Sequence, residues 1–279
     1  MEFLYQGQAL PHGQFALHSH FESVVNFLAE GKLVSLVSEK VGGGPRRIVV
    51  TDLTKLKGFH HLVLSVDVLA SELRISTQDQ VLYTCSLEHL AMKHFILPRL
   101  DLSQVRMRLS NFEDYFVKVA PKKSLFYLID KCSQKEYESS FEKVLVESFM
   151  EAYSPLGKSS LKDVLLAFKG KGLGLTPSGD DFNLGFLTAL SLQGSVYPEY
   201  FALARGESVF VNSFLSELED GQVNEKTYNW LKSFEESEEN FKEATLRLMS
   251  QGETSGADWL VGFISGFDIQ TNSGRLYAT

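Results

Sequence analysis

Cysteine is almost absent from this chain: Cys85 and Cys132 are the only two among 279 residues. Neither sits in a Cys-x-x-Cys pair or among histidines, which excludes a zinc framework and a disulfide scaffold and fits a reducing compartment. A chain of this length buries enough surface to do without such staples. No apolar run approaches the about 18 residues a membrane helix requires. The N-terminal MEFLYQGQALPHGQF also lacks the basic and apolar regions of a signal peptide. Positive charge is in deficit: 27 Lys and Arg against 35 Asp and Glu give a net charge of −8, which disfavours nucleic acid and anionic membrane as partners. The C-terminal half has no histidine and the chain has no Gly-x-Ser-x-Gly elbow, so a Ser-His-Asp hydrolase is disfavoured. The expectation is a soluble, cytoplasmic protein of one large domain or two modest ones.

What is present changes character along the chain. From about Leu33 to Leu109, short segments rich in Val, Ile and Leu alternate apolar with polar residues: LVSLVS, RRIVVTDL, HLVLSVDVL, ELRIST, QVLYTCS and VRMRLS. They predict five or six strands of an antiparallel sheet, sandwich-like or barrel-like, with STQDQ as a hairpin turn. Ser19 and Glu22 read as a capping box ahead of a helix over SVVNFLAE that Gly31 ends. After Asp130 the period becomes helical: Tyr137, Phe141, Leu145 and Phe149 recur at four-residue steps. Further helices are expected at about 159–169, 180–193, 199–219, 224–250 and 257–269. The fold class is α+β, with a β-rich domain over 1–130 that contains one early helix and a helical domain over 131–279.

The most unusual segment is GKGLGLTPSGDDFNLGF, residues 170–186. Gly174 and Gly179 have the separation of a phosphate-binding loop, but Asp180 and Asp181 replace its Lys and Ser/Thr, so it is not a nucleotide loop. Ser178 with Asp181 reads as a capping box at a helix start, with acids at the positive end of the helix dipole. The segment has an echo in GETSGADWLVGFISGF, residues 252–267. Ser178, Gly179, Asp181, Phe182, Gly185 and Phe186 match Ser255, Gly256, Asp258, Trp259, Gly262 and Phe263 at the same internal spacing. Thr176 and Thr254 precede the two serines. Capping explains only Ser and Asp, so the echo points to a duplicated site. Asp181, Gly185 and Ala189 share one helical face, as do Asp258, Gly262 and Gly266. Small faces let helix axes approach closely. Packed with their starts together, the helices would set Asp181 opposite Asp258, with both Ser hydroxyls and free backbone N–H groups around them. Such a pocket suits an anion, and the carboxylates could hold a divalent metal such as Mg or accept hydrogen bonds from an amide. Helix packing with capping is the competing structural account.

These residues carry a resemblance. GLGLTPSGDD, the late GETSGAD and the early HSHFESVVN are similar to the signature segments of a bacterial family associated with the H subunit of oxamate carbamoyltransferase, from anaerobic allantoin degradation. The resemblance runs from about Leu17 to Phe267, with Glu253 departing from the pattern. It implies a subunit of a multi-subunit enzyme that exchanges a carbamoyl group between oxalurate and phosphate. It also implies a small anionic, carbamoyl-like metabolite as ligand, with Asp180, Asp181 and Asp258 as catalytic candidates. Gly174, Thr176, Ser178, Gly179, Thr254, Ser255 and Gly256 are the substrate-binding candidates.

Three residues outside the motifs complete the set. His18, paired with His20 in HSH, could line a pocket; as a metal pair the two would diverge on a helix start. Asn26 follows Ser19 by seven residues in the family-like segment. Arg46 and Arg47 follow GGGP, where one guanidinium could clamp a carboxylate or phosphate, and strand alternation turns only one of them to a given face. Two further readings stand beside the carbamoyltransferase subunit: a non-catalytic structural or ligand-sensing subunit, and a metal-dependent phosphate-releasing enzyme.

Overall fold

A computed structural model describes residues 1–130, 139–154 and 160–273, with side chains up to 267. It forms two compact units: 1–97 together with 222–228, and 98–221 together with 229–279. The change from strand to helix therefore comes well before the boundary expected at 131.

The first unit is a nine-stranded sheet of β1 (Phe3–Gly7), β2 (Gly13–His20), β3 (Val24–Ala29), β4 (Lys32–Ser38), β5 (Arg47–Val50), β6 (Val63–Asp67), β7 (Glu72–Ser76), β8 (Val81–Ser86) and β9 (Ala91–Lys93). Its order is β8-β7-β6-β2-β3-β4-β5-β1-β9. Pairing is antiparallel except for β4 with β5 and β1 with β9. Alternation sets the core: Leu64 and Val66 of β6, Leu73 and Ile75 of β7, and Val25 and Phe27 of β3 join one buried cluster on which the curled sheet closes. The STQDQ turn joins β7 to β8 as expected.

The expected early helix is instead β3. Ser19 lies in β2, and its hydroxyl accepts from Asn26 Nδ2 at 3.0 Å rather than capping a helix. Glu30 and Gly31 both have positive φ, 50° and 74°, so the glycine signal belongs to a two-residue hairpin joining Ala29 to Lys32. VRMRLS is corrected in the opposite sense. It lies inside α1 (Leu102–Val119), whose buried face is Val105, Leu109, Phe112 and Phe116. Over so short a window the periods of strand and helix coincide, and the deciding signal is the N-cap Asp101, which accepts from Ser103 N at 2.9 Å.

The second unit continues with α2 (Ser140–Tyr153), α3 (Leu161–Phe168), α4 (Ser178–Leu192), α5 (Pro198–Ala204), α6 (Val209–Glu219), α7 (Glu225–Lys232), α8 (Glu238–Met249) and α9 (Ser255–Ser273). The first turn of α7 is counted with the first unit. Two long expected helices are broken, at 205–208 and at 233–237, where Ser208 and Ser237 cap new ones. Tyr137 and the start of the expected helix before Ser139 lie outside the described residues. No described helix is long and apolar enough to cross a membrane.

Candidate functional site

The duplicated sequence segment is a duplicated piece of structure. After α3, Lys171 N donates to Phe168 O at 3.1 Å and the chain turns through Gly170 and Gly172, both at positive φ. After α8, Gln251 N donates to Leu248 O at 3.0 Å and the chain turns through Gly252, again at positive φ. Each following helix then sits on the end of the previous one. A Cβ on Gly179 would lie 1.9 Å from Phe168 O, and one on Gly256 would lie 2.1 Å from Leu248 O. Only glycine allows that approach. The first copy differs by a longer loop, 173–177, of which Gly174 is an exposed part.

The second helices of the two copies, α4 and α9, pack on each other in parallel. A Cβ on Gly185 would meet Trp259 O at 1.9 Å, and reciprocally one on Gly262 would meet Phe182 O at 2.0 Å. Gly266 lies against Ala189, whose Cβ would be 2.7 Å from an added one. The small faces read from the sequence thus form a backbone-to-backbone crossing with both helix starts at one end.

At that end the polar residues are not symmetric. Asp181 is 6% exposed and Asp258 is fully buried. Asp258 Oδ1 accepts from the N–H of Leu125 at 2.6 Å, the first residue of a 3-10 turn, Leu125–Leu128. Asp181 instead faces the hydroxyls of Ser255 and Thr176, which lie 3.1 Å from each other. Its Oδ2 is buried with no hydrogen-bond partner among the described residues. Burial first, and then the charge of Asp258, pushes the Asp181 carboxyl well above the usual carboxylate range, against the two hydroxyls. A carboxyl raised in this way takes up a proton more readily than an exposed one, and its protonated form can donate a hydrogen bond as well as accept one. Asp180 closes the turn: its Oδ1 accepts from Gly170 N at 2.8 Å. Burial raises its pKa, and the Gly170 N–H and the charge of Lys169 offset part of that rise.

Two expectations about the helix starts change. Ser178 does not cap α4 but is its first helical residue; the N-cap is Pro177, whose carbonyl takes the N–H groups of Asp180 and Asp181 at 2.8 and 3.0 Å. The N–H groups of Gly179 and Gly256 are also taken, by Lys171 O at 2.8 Å and Gln251 O at 3.1 Å. Fewer backbone donors are open to an anion than two free helix ends would offer.

Beside these starts lies a cavity of about 530 Å³, in the size range of small-molecule sites. Ser178, Gly172 and Thr254 reach it from the two copies, and Lys123 and Tyr127 from the segment ahead of Leu125–Leu128 and from that turn. Phe141, Leu145 and Phe149 of α2 supply its apolar wall. Asp181 and Asp258 are not among its lining residues. Lys123 pairs with Glu253 at 3.9 Å, both side chains being largely exposed. The sequence reading missed Lys123, Tyr127 and the Leu125 N–H, and no local pattern marks them.

The carboxylate pair offers a magnesium ion few protein oxygens, since Asp258 Oδ1 is committed to Leu125, so waters or ligand oxygens would have to complete most of an octahedral shell. No cluster of three or more His, Cys, Asp or Glu suited to a metal occurs among the described residues.

His18, Asn26 and Arg46 belong to the first unit. His18 Nδ1 lies 3.2 Å from Ser19 Oγ. Asn26 is buried and ties Ser19 to Ser35, whose hydroxyl donates to Asn26 Oδ1 at 2.6 Å across β3 and β4. The Arg46 carbonyl accepts from Ser35 N at 3.2 Å. Asn26 reads as a pin between strands, while Thr176, Ser255, Asp181 and Asp258 come together in the second unit.

Residues 168–267 match the family described as oxamate carbamoyltransferase subunit AllH. The matched segment runs from the end of α3 into α9 and takes in both copies of the helix start. The AllH-like character read from the two Ser-Gly segments thus falls on the part of the chain that builds the crossing. No curated protein and no solved structure matches the chain.

Proposed function

We propose that this chain is a subunit of the oxamate carbamoyltransferase type whose second unit binds a small carbamoyl-bearing anion in the cavity over the two helix starts. The observation that carries this reading is the meeting of Ser178 and Thr254, one from each copy, at the wall of a cavity of about 530 Å³. Lys123 supplies positive charge for the carboxylate or phosphate end of the ligand, and the hydroxyls of Ser178, Thr254 and Tyr127 supply hydrogen bonds to its amide or carbonyl. Asp181 acts through its neighbours. Its carboxyl fixes the hydroxyls of Thr176 and Ser255. Asp181 and Asp258 are thus positioning residues here, and any acceleration would come from orientation and electrostatics.

A second reading, a ligand-sensing or structural subunit without chemistry of its own, is favoured by α2, which leaves Phe141, Val144 and Met150 exposed. A metal-dependent phosphate-releasing enzyme is disfavoured by the donor set. The test is thermal unfolding with carbamoyl phosphate, oxamate or phosphate, each with and without magnesium, for wild type, Lys123→Met and Thr254→Val. A ligand at about 100 times its Kd adds roughly 2.7 kcal/mol, a shift of several degrees. The expected result is a magnesium-independent shift that both variants lose. No shift with any ligand would overturn binding at this cavity.

A further inference from the structure

The two copies differ by a stretch of chain that the helix crossing does not need. In each copy the glycine after the turn sits against the serine that follows it. A Cβ on Gly172 would lie 2.7 Å from Ser178 N, and one on Gly252 would lie 3.1 Å from Ser255 Oγ. The second copy joins glycine to serine with two residues, Glu253 and Thr254, whereas the first uses five, 173–177. Both reach the same packing of helix on helix, so the added length has another cause.

The longer loop is fixed at its ends and free in its middle. Gly172 is pressed against Ser178 at one end. At the other, Leu175 O accepts from the Ser208 hydroxyl at 2.6 Å, and Thr176 Oγ1 lies 3.1 Å from Ser255 Oγ. Between them Gly172, Leu173 and Gly174 make no hydrogen bond among the described residues, which marks a segment that moves at little cost. Gly172 and Gly174 have φ of 114° and 95°, and glycine can leave such conformations as readily as it adopts them. A Cβ on Gly174 would meet nothing within 4 Å, so the space around it is open. Leu173 thus stands between two glycine hinges with 72% of its surface exposed. It lines the same cavity as Phe141 of α2, which is 60% exposed. Contact between these two side chains would take apolar surface of both out of water.

We propose that Leu173–Gly174 is a flap that closes the cavity by carrying Leu173 onto Phe141. Closure would shield Ser178 and Thr254 from water and slow the exit of whatever they hold. The role of the flap in retaining a ligand rests on the binding proposed above; its motion does not.

The first test needs no ligand. In the full chain carrying Leu173→Cys and Phe141→Cys, oxidation with diamide and peptide mass spectrometry read the disulfide between the two positions, set apart from any that involves Cys85 or Cys132. The control is Leu175→Cys with Phe141→Cys, because Leu175 is also exposed but its carbonyl is tied to Ser208. The expected result is a disulfide that forms several-fold faster in the Leu173 pair. Equal rates, or no disulfide in either folded variant, overturn the flap. The second test uses the unaltered protein, with carbamoyl phosphate as the probe and hydrogen exchange of amides 172–174 as the readout. Exchange is expected to slow several-fold at a concentration that raises the melting temperature. A melting shift without slower exchange overturns the flap and leaves the binding intact. No melting shift overturns the binding, and the disulfide rates then decide the flap.

Discussion

Around Gly179 and Gly256 the chain makes the same arrangement twice, whereas around Asp181 and Asp258 it does not. Both glycines press the first turn of a helix onto a carbonyl of the preceding helix, at 1.9 and 2.1 Å for an added Cβ. Gly185 and Gly262 likewise exchange places across the crossing of α4 and α9. Yet Asp258 is bound to a backbone N–H outside the repeat, while Asp181 faces the hydroxyls of Thr176 and Ser255. Contacts through backbone leave little freedom, because nothing can rotate away. Polar side chains at the ends of the same helices can take different partners without moving the helices. Symmetry here belongs to the packing, and the asymmetry is where a ligand-related role can reside.

The largest effects should come from the shared part. Gly185→Ala and Gly262→Ala each put a methyl against a backbone carbonyl, so the helices must separate. We expect about 3 kcal/mol of destabilisation or more from each. Both tryptophans, Trp230 and Trp259, lie in the second unit, so urea unfolding followed by tryptophan fluorescence reads that unit. Costs for the two glycines that differ by several kcal/mol would break the two-fold reading of the crossing.

Next come the two acids, which should behave in opposite ways. Asp258→Ala leaves the buried Leu125 N–H without its acceptor and should cost about 1–3 kcal/mol in the same unfolding experiment. Asp181→Asn should gain relative to wild type as pH rises. The folded-state pKa of Asp181 is raised, so between its ordinary value near 4 and that raised value the native protein binds more protons than the unfolded one. Wild-type stability therefore falls as pH rises through that window, by at most about 1.4 kcal/mol per pH unit for one proton. The Asn variant lacks this slope. Parallel stability–pH curves for the two proteins would show that Asp181 is ionised in the fold like an ordinary carboxylate.

How much of this was legible in the sequence follows from the same distinction. Repeated Gly, Ser and Asp at fixed spacing revealed the crossing, because close backbone approach admits only glycine and so leaves a mark at each contact. Strands with clean alternation, such as ELRIST, were equally plain. The early segment SVVNFLAE was misread because Ser19, Glu22 and Gly31 mimic caps, while its true partners are β2 and β4, neighbours that only the fold brings together. VRMRLS was misread because a six-residue window cannot separate two periods. Lys123, Tyr127 and the Leu125 N–H were not legible at all, since a side chain or amide that meets a motif from more than a hundred residues away leaves no spacing to read.

The smallest effect sharpens the comparison at the helices that lead into the two copies. α3 and α8 are both capped by serine: Ser160 Oγ accepts from Asp163 N at 3.2 Å, and Ser237 Oγ accepts from Asn240 N at 3.2 Å. Ser160→Ala and Ser237→Ala should each cost about 1 kcal/mol. They should not be equal, however, because the Ser160 hydroxyl also donates to Asp163 Oδ2 at 2.7 Å, a charge-assisted bond for which α8 has Asn240 in the corresponding place. Ser160→Ala is therefore expected to be the more costly by a few tenths of a kcal/mol, and Asp163→Asn should remove most of that excess. Amide exchange of the first turns of α3 and α8 measures it directly. If the two caps prove equal, the leading helices add nothing to the asymmetry of the repeat, which then rests on the longer loop 173–177 and on the different partners of Asp181 and Asp258.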